Sequence, residues 1–203
     1  MIVNFGCGAN PAPRVPGYIN VDGSLTVLLA RLPLPAAAFG SRAGFVRVLR
    51  ANRIRYGTVS RLTFPESFLD GFYASHVLEH LSKHDCEDLL LRVHKWLKPS
   101  GVLRVVLPDL RRSAKAYVGG VVDASQFIAA TYLARDGLKW WELFLGHSQH
   151  RWMYDAASFS KLLADLRFRE IQECEMNQGS LPALSCLDIP SRRAESFYIE
   201  ARK

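Results

Sequence analysis

The chain has 203 residues, of which 49% are hydrophobic and 22% charged, a composition that is typical of a folded domain and excludes an intrinsically disordered chain. Its formal net charge is +7, and its longest apolar stretch, residues 25–39, contains an arginine and two prolines, so no segment reaches the roughly 18 apolar residues of a transmembrane helix. A first apolar strand already begins at residue 2, which leaves no room for a signal peptide and leads us to expect a cytoplasmic protein.

The first two predicted strands flank a glycine turn. A strand at residues 2–6 runs into Gly6-Cys7-Gly8, and a second strand at residues 18–22 ends on Asp22. Glycines let the backbone approach a ligand without a Cβ in the way, and a carboxylate at this place can accept hydrogen bonds from two ribose hydroxyls. The arrangement predicts a site for a nucleoside-type cofactor.

The connection between these strands contains Pro11, Pro13 and Pro16, so we predict no regular helix there. A Rossmann-type unit normally has its first helix at this point. A nicotinamide cofactor is therefore a poor fit, because Pro11 replaces the third glycine of G-x-G-x-x-G and no helix N-terminus is offered to a pyrophosphate.

The segment from Gly23 to Pro65 carries the positive charge of the chain. It has no Asp or Glu and contains seven arginines: Arg31, Arg42, Arg47, Arg50, Arg53, Arg55 and Arg61. These are either solvated surface positions or a site for a phosphorylated or carboxylated acceptor. The few aromatic residues of the segment argue against nucleic acid as the partner. Within it, residues 25–39 could form an apolar lid or contact a membrane surface.

Strand-like and helix-like segments alternate along the rest of the chain, which predicts a mostly parallel sheet covered on both faces. Further strands are predicted at residues 53–57, 71–75, 101–107, 169–175 and 196–202. Helices are predicted at residues 41–52, 82–97, 123–135 and 155–166. The four cysteines form no C-x-x-C pair, which indicates free thiols rather than disulfides or a cysteine zinc site.

The run His76-Val77-Leu78-Glu79-His80 spells H-x-x-E-H, the signature of inverted zinc peptidases. Zinc would require both histidines on one helical turn. Here His76 follows a predicted strand, and the next helix starts only at Ser82. We therefore predict no metal, with Glu79 and His80 as polar residues of a crossover turn.

Several motifs in the same order resemble those of class I S-adenosylmethionine-dependent methyltransferases. They are the glycine turn with Asp22, the block from Phe64-Pro65 to His76-Val77-Leu78-Glu79-His80-Leu81, and the block Leu97-Lys98-Pro99-Ser100-Gly101-Val102-Leu103. Residues 146–155 and 196–201 are similar to those of a small bacterial branch of predicted methyltransferases, the type 11-like proteins.

The resemblance implies one Rossmann-like α/β domain over residues 1–203, with variable segments at 23–52 and 118–155. Its strand order would be 3-2-1-4-5-7-6, with the last strand antiparallel and the first helix shortened. S-adenosylmethionine would be the methyl donor and S-adenosylhomocysteine the product. The cofactor-binding residues would be Phe5, Gly6, Cys7, Gly8, Asp22, Thr58, Ala74, Ser75 and His76. Thr58 stands where many relatives carry an acid that accepts from the adenine amino group.

A sulfonium donor is already activated, so aligning acceptor, methyl and sulfur can supply most of the catalysis. An acceptor hydroxyl or ammonium would also have to lose a proton, and a positioned side chain could take it. The candidates are His76, Asp109, His150 and Tyr154, with His147 and Asp155 nearby. Asp109 and Asp155 could instead cap helices. The sequence leaves the small-molecule or glycan acceptor unidentified, and a degenerate methyltransferase fold that acts as a binding or regulatory module is the alternative function.

Overall fold

The computed structural model describes residues 1–13, 16–131 and 149–203. A seven-stranded sheet lies at its centre. Its strands are β1 Ile2–Phe5, β2 Tyr18–Asp22, β3 Arg55–Tyr56, β4 Leu69–Ser75, β5 Leu97–Pro108, β6 Arg169–Cys174 and β7 Ser196–Arg202. The described helices are α1 Leu25–Leu29, α2 Ala43–Ala51, α3 Lys83–Trp96, α4 Leu110–Val118, α5 Ala124–Thr131, α6 Ala156–Asp165 and α7 Pro182–Ser185.

The strand order is β3-β2-β1-β4-β5-β7-β6, as predicted. The first five strands pair in parallel, and β7 runs antiparallel to both β5 and β6. Helix α3 connects β4 to β5 and buries Leu89, Leu90 and Val93 in the core beside the sheet. The chain reverses its direction of travel across the sheet between β1 and β4, which is where ligands bind in folds of this kind.

No helix lies between β1 and β2 in the part of this connection that the structure describes, which confirms the prediction from the prolines. Side-chain amides hold the loop instead. Asn20 accepts from the Ala12 backbone N–H (2.7 Å) and donates to the Ala12 carbonyl (3.1 Å). Asn4 donates to the Asn20 side chain (3.1 Å) and to the Asn10 carbonyl (3.2 Å). These bonds replace the packing that a helix would provide.

Several element boundaries differ from the predictions. Strand β3 has only two residues, because Arg53 adopts a left-handed conformation (φ 49°) and Ile54 is buried in a small core beside α1 and α2. Strand β5 begins four residues earlier than predicted, since Leu97 pairs with Leu69 across an irregularity in the ladder. Helix α2 is preceded by a 3-10 segment, Ala36–Arg42. The end of the helix predicted at 123–135 lies outside the described residues.

Arg104 forms a buried ion network that the sequence analysis missed. It lies in the middle of β5 opposite Glu200 of β7, and its guanidinium donates to Glu200 (2.9 Å) and to Asp188 (3.0 Å). All three side chains are buried. The network fixes the segment before β7 against the face of the sheet.

The four cysteines are free thiols, as predicted. In the described parts of the chain, no helix combines the length and the apolar character needed to cross a membrane.

Candidate functional site

The glycine turn lies at the carboxyl end of β1 and adopts a conformation that favours glycine. Gly6 (φ 67°) and Gly8 (φ 50°) are both in the left-handed region. A Cβ at Gly6 would lie 2.2 Å from Cγ2 of Val77, whereas a Cβ built on Gly8 has no heavy atom of the described, non-adjacent residues within 4 Å. The turn is therefore packed against the end of β4 on one side and open on the other.

Asp22, at the carboxyl end of β2, binds this turn directly. Its two carboxylate oxygens accept from the backbone N–H groups of Gly8 (2.9 Å) and Ser24 (2.8 Å). Each carboxylate oxygen can accept more than one hydrogen bond, so capacity remains for a ligand. Asp22 thus shapes the turn, and its contact with a ribose stays a prediction.

Phe5 and Cys7, the residues before and after Gly6, are both buried. The ring of Phe5 packs against Phe72 in the core (centroids 5.8 Å apart), and a contact of Phe5 with the cofactor stays a prediction. Cys7 is buried, and its N–H donates to the Val21 carbonyl (3.2 Å). Burial raises the pKa of the Cys7 thiol, so this cysteine is a small structural residue and not a nucleophile.

Thr58 follows β3 at the same edge of the sheet. Its hydroxyl lies 3.3 Å from the Ser60 hydroxyl, and the ends of β2 and β3 approach closely at Gly23 and Gly57. The role of Thr58 towards an adenine stays a prediction.

The carboxyl end of β4 brings Ala74, Ser75 and His76 to the other side of the crevice. Ala74 and Ser75 are buried, and the Ser75 carbonyl accepts from the Arg192 guanidinium (3.0 Å). His76 has a positive φ of 53°, which is uncommon for a residue with a Cβ and is typical of strained functional positions. Its Nε2 lies 2.7 Å from the Ser196 hydroxyl. Burial and the nearby Arg192 charge lower the pKa of His76 to about 3, so its imidazole is neutral at neutral pH.

Glu79 lies in a turn after β4, as the sequence predicted, but its side chain is buried. It lies in a 3-10 turn, Leu78–His80, is 1% exposed, and is surrounded by histidines. Its Oε1 is 3.6 Å from Nδ1 of His76, 3.8 Å from Nε2 of His150 and 4.0 Å from Nε2 of His80. Burial raises the pKa of Glu79 to about 8. His150 reaches the cluster because the N–H groups of the following residues, 151 and 152, donate to the Glu79 carbonyl (2.7 and 3.2 Å).

The remaining base candidates have structural roles. Asp109 caps α4 by accepting from the N–H groups of Arg111 (2.9 Å) and Arg112 (3.3 Å). The sequence had offered a helix cap as the alternative to a catalytic base at this position. Tyr154 is 4% exposed, its ring packs edge-on against Phe159, and burial raises the pKa of its hydroxyl. Tyr154 therefore does not fit a base that faces an acceptor.

Asp155 and His147 are the two polar residues that the sequence places near these candidates. Asp155 caps α6 through a reciprocal pair of hydrogen bonds with Ser158. His147 lies outside the described residues.

The arginines of residues 23–65 divide into two groups. Three of them make internal contacts: Arg50 donates to the carbonyls of Ala30 (2.7 Å) and Leu32 (2.8 Å), Arg42 donates to Thr26 (3.2 Å), and Arg55 lies over the Phe64 ring. The other four are exposed: Arg31, Arg47, Arg53 and Arg61. Only part of the positive charge is thus committed to holding the segment together.

A family model described as a methyltransferase domain matches residues 21–173. A solved SAM-dependent methyltransferase from Methanosarcina mazei is 18% identical, with a TM-score of 0.56 over 100% of this chain and 91% of that one. An S-adenosylmethionine-dependent methyltransferase from Mesorhizobium loti is also 18% identical, with a TM-score of 0.53 over 100% and 90%. A possible exported protein from Bordetella parapertussis is 15% identical, with a TM-score of 0.54 over 100% of this chain and 61% of its own length.

The chain therefore spans less than two thirds of the Bordetella protein. No curated protein matches the sequence. At these identities the solved structures establish the fold, and the predicted Rossmann-like architecture is confirmed.

Proposed function

The chain belongs to the methyltransferase-domain family, and on that premise we propose that it transfers the methyl group of S-adenosylmethionine to a small-molecule or glycan acceptor that carries an anionic group. The observation that carries the proposal is the open glycine turn bound by Asp22 at the carboxyl ends of β1 and β2 (Gly8 N–H to Asp22, 2.9 Å). It lies beside the end of β4, at the point where the strand order reverses.

The residues of the crevice fit this cofactor. Gly6 and Gly8 would accommodate its methionine part, Asp22 would accept from its ribose, and Ser75 would line the opposite wall. When bound, the cofactor supplies an activated methyl group and leaves as S-adenosylhomocysteine. Because it carries no phosphate, the absent helix between β1 and β2 removes no contact that it needs, whereas a nicotinamide dinucleotide would lose its pyrophosphate site.

The chain's own residues would orient the acceptor for in-line displacement. His76 and its neighbours follow β4 at the same edge of the sheet as the glycine turn after β1. The exposed arginines of residues 23–65 support an anionic acceptor, because this segment follows β2 directly and contains no acidic side chain. The exposed leucines Leu32 and Leu34 support an apolar contact for the acceptor or a peripheral membrane contact.

Calorimetric titration of the purified protein with S-adenosylhomocysteine tests the cofactor half of the proposal, with NAD as the control ligand. We expect micromolar binding of S-adenosylhomocysteine and none of NAD. Asp22→Ala should abolish binding, because it removes the ribose acceptor and releases the glycine turn. Asp165→Ala, an exposed carboxylate on α6, is the matched control and should bind like the unaltered protein.

Two results would contradict the proposal. NAD binding would favour an oxidoreductase. Failure of the folded protein to bind either ligand would favour the alternative, a methyltransferase fold that serves as a binding or regulatory module.

A further inference from the structure

We propose that Glu79, His80 and His150 form a binding site for a divalent first-row transition-metal ion such as Zn²⁺. The site lies in the turn that follows β4, next to His76. The inference goes beyond methyl transfer and differs from the sequence prediction that the H-x-x-E-H segment binds no metal. Of the two histidines of that motif only His80 is a ligand, and the second histidine ligand, His150, comes from a distant part of the chain.

The three side chains already have the spacing of an expanded metal site. One ligand atom from each of the three residues lies within 4.8 Å of the others. A tetrahedral ion with bonds of about 2.0 to 2.1 Å holds its ligand atoms roughly 3.4 Å apart. The Glu79 oxygen is 3.8 and 4.0 Å from the Nε2 atoms of His150 and His80. Small side-chain rotations would therefore close the three groups around an ion.

The Glu79 carboxylate gives independent evidence for a ligand. It is 1% exposed, and neither of its oxygens has a hydrogen-bond partner among residues 1–13, 16–131 and 149–203. A buried carboxyl without a partner is costly and is rare in folded proteins, where such groups are paired or coordinate metals. An ion between Glu79 and the two imidazoles would supply the missing partner.

The two histidines are held with the correct nitrogen facing Glu79. Nδ1 of His80 lies 3.2 Å from the Gln149 carbonyl, which can only accept, so Nδ1 carries the proton. Nδ1 of His150 lies 3.0 Å from the Met153 sulfur, another acceptor. When these rings are neutral, Nε2 is the unprotonated nitrogen of each, and it is the atom that lies 4.0 Å (His80) and 3.8 Å (His150) from the Glu79 oxygen. This is the usual arrangement of metal-ligating histidines, whose second nitrogen donates to a carbonyl or other acceptor.

The same tautomers argue against a cluster held by hydrogen bonds alone. An unprotonated Nε2 cannot donate to Glu79, and the distances of 3.8 and 4.0 Å exceed those of hydrogen bonds in either direction. Two imidazoles and one carboxylate suit zinc, iron or manganese better than calcium, which prefers six to eight oxygen ligands. Three protein ligands also leave a coordination position for a substrate, as in catalytic zinc sites.

A role in methyl transfer rests on the proposed function. An acceptor hydroxyl bound at the open position would have a lowered pKa and lose its proton to solvent. Its oxygen would then form the bond to the methyl carbon, and the carbon–sulfur bond would break with its electron pair on sulfur. Such a site would promote the deprotonation of the acceptor. Asp109 caps a helix and Tyr154 lies in the core, so both are poorly placed to act as the base.

The test is titration of the chelator-treated full chain with Zn²⁺ by calorimetry and with Co²⁺ by absorption spectroscopy. We expect one equivalent to bind, with Co²⁺ bands of low-symmetry coordination. Glu79→Gln and His150→Gln should bind about 100-fold more weakly or worse, since loss of an outer-shell partner alone costs 10- to 100-fold. His84→Gln is the matched control, because the exposed pair His84 and Asp88 is the competing surface site. It should retain full affinity.

The same variants are titrated with S-adenosylhomocysteine to separate the possible failures. Cofactor binding without metal binding in the unaltered protein would overturn the metal site and leave the proposed function standing. Metal binding that Glu79→Gln and His150→Gln leave unchanged, or that His84→Gln removes, would also overturn it. Site-dependent metal binding without cofactor binding would support the metal site and contradict methyl transfer. Retained cofactor affinity in the two ligand variants would show that they fold.

Discussion

At the scale of single residues, the glycine turn depends on one close approach. Val77, the second residue after β4, occupies the space that a side chain at Gly6 would need. Backbone hydrogen bonds from Gly6 (2.8 Å) and Cys7 (3.2 Å) to the Val21 carbonyl fix the turn against β2. The glycine turn and the segment that follows β4 are therefore in direct contact through Gly6 and Val77.

Gly6→Ala should destabilise the protein by about 1 to 3 kcal/mol, because the added Cβ clashes with Val77 and the positive φ adds strain. It should also weaken S-adenosylhomocysteine binding. The measurement is urea unfolding together with calorimetry. Gly8→Ala is the control, since its φ is also positive but its Cβ would meet no atom within 4 Å.

A second variant isolates the clash. Val77→Ala should be mildly destabilising alone but should recover part of the stability lost in Gly6→Ala, a coupling that a double-mutant cycle measures. If Gly6→Ala and Gly8→Ala cost the same and Val77→Ala recovers nothing, the conformation alone, and not the approach of Val77, requires glycine.

Glu79 and Arg104 are buried polar side chains whose surroundings the sequence did not predict. Glu79 was predicted as a polar residue of a crossover turn, but residues 151 and 152 donate to its backbone carbonyl and its side chain is buried. Arg104 lies within an otherwise apolar strand, and its burial is explained by its hydrogen bonds to Glu200 and Asp188. Burial of these polar groups is decided by contacts over about 70 to 100 positions in sequence, which no local pattern reports.

At the scale of the elements, the start of α6 shows a cap that the sequence could predict. Asp155 accepts from the Ser158 N–H (2.8 Å), and the Ser158 hydroxyl lies 3.1 Å from the Asp155 N–H. The residue before it, Tyr154, pairs with Asp109 in an isolated bridge, so two helix caps meet at one place. Local side-chain chemistry alone sets such caps, which is why both appeared as alternatives in the sequence.

Asp155→Ala should reduce the free energy of unfolding by about 1 kcal/mol at neutral pH, the usual contribution of a helix cap. Hydrogen bonds from Ser158 hold the pKa of Asp155 below its ordinary value, so its contribution is present above the unfolded pKa of about 3.9. It is lost as the pH falls through the lower, folded value. Urea unfolding from pH 7 down to about pH 3 measures this difference.

The control for this prediction is Asp165→Ala at the other end of α6, which should change stability by less than about 0.5 kcal/mol at all pH values. A difference between the unaltered protein and Asp155→Ala that stays constant with pH would mean that the carboxylate does not stabilise the folded state through its charge.

Most strand bounds were predicted well, and the length of the short strand β3 poorly. Strands β1, β2, β4, β6 and β7 lie within two residues of their predicted bounds. Strand β3 could not be delimited, since two residues pair at the sheet edge and the turn before them is set by Arg53. Alternation of strands and helices predicted a mostly parallel sheet, whereas the strand order came only from the resemblance.

At the scale of the whole molecule, the crevice joins parts of the chain that the sequence separates widely. The glycine turn and Asp22 come from the first 22 residues, and His76 follows the fourth strand. Arg192 and Ser196 reach the end of β4 from the C-terminal segment. The glycine turn and its contact with Asp22 were predictable because their parts lie within one short segment, while the histidine cluster was not, because His150 is brought to it by tertiary structure.

The exposed arginines of residues 23–65 are expected to strengthen the binding of an anionic acceptor. Replacing Arg47 and Arg53 together by Gln should weaken binding of UDP-glucose, used as an anionic acceptor probe, by about five- to tenfold, since each exposed pair contributes up to about 1 kcal/mol. The loss should shrink at high salt, where screening removes the interaction. Calorimetry at several salt concentrations measures both effects, and S-adenosylhomocysteine affinity should stay unchanged.

Arg50→Gln is the contrasting variant, because Arg50 donates to the carbonyls of Ala30 and Leu32 and so holds the segment after β2 in place. It should lower the melting temperature, whereas the Arg47 and Arg53 variant should not, since neither of those side chains makes a hydrogen bond within the described residues that would hold the segment as Arg50 does. Equal loss of cofactor and probe binding in the double variant would mean that these arginines also support the structure. An unaltered protein that binds S-adenosylhomocysteine but not UDP-glucose would direct the search away from nucleotide-linked sugars, since the positive segment would then serve another anion.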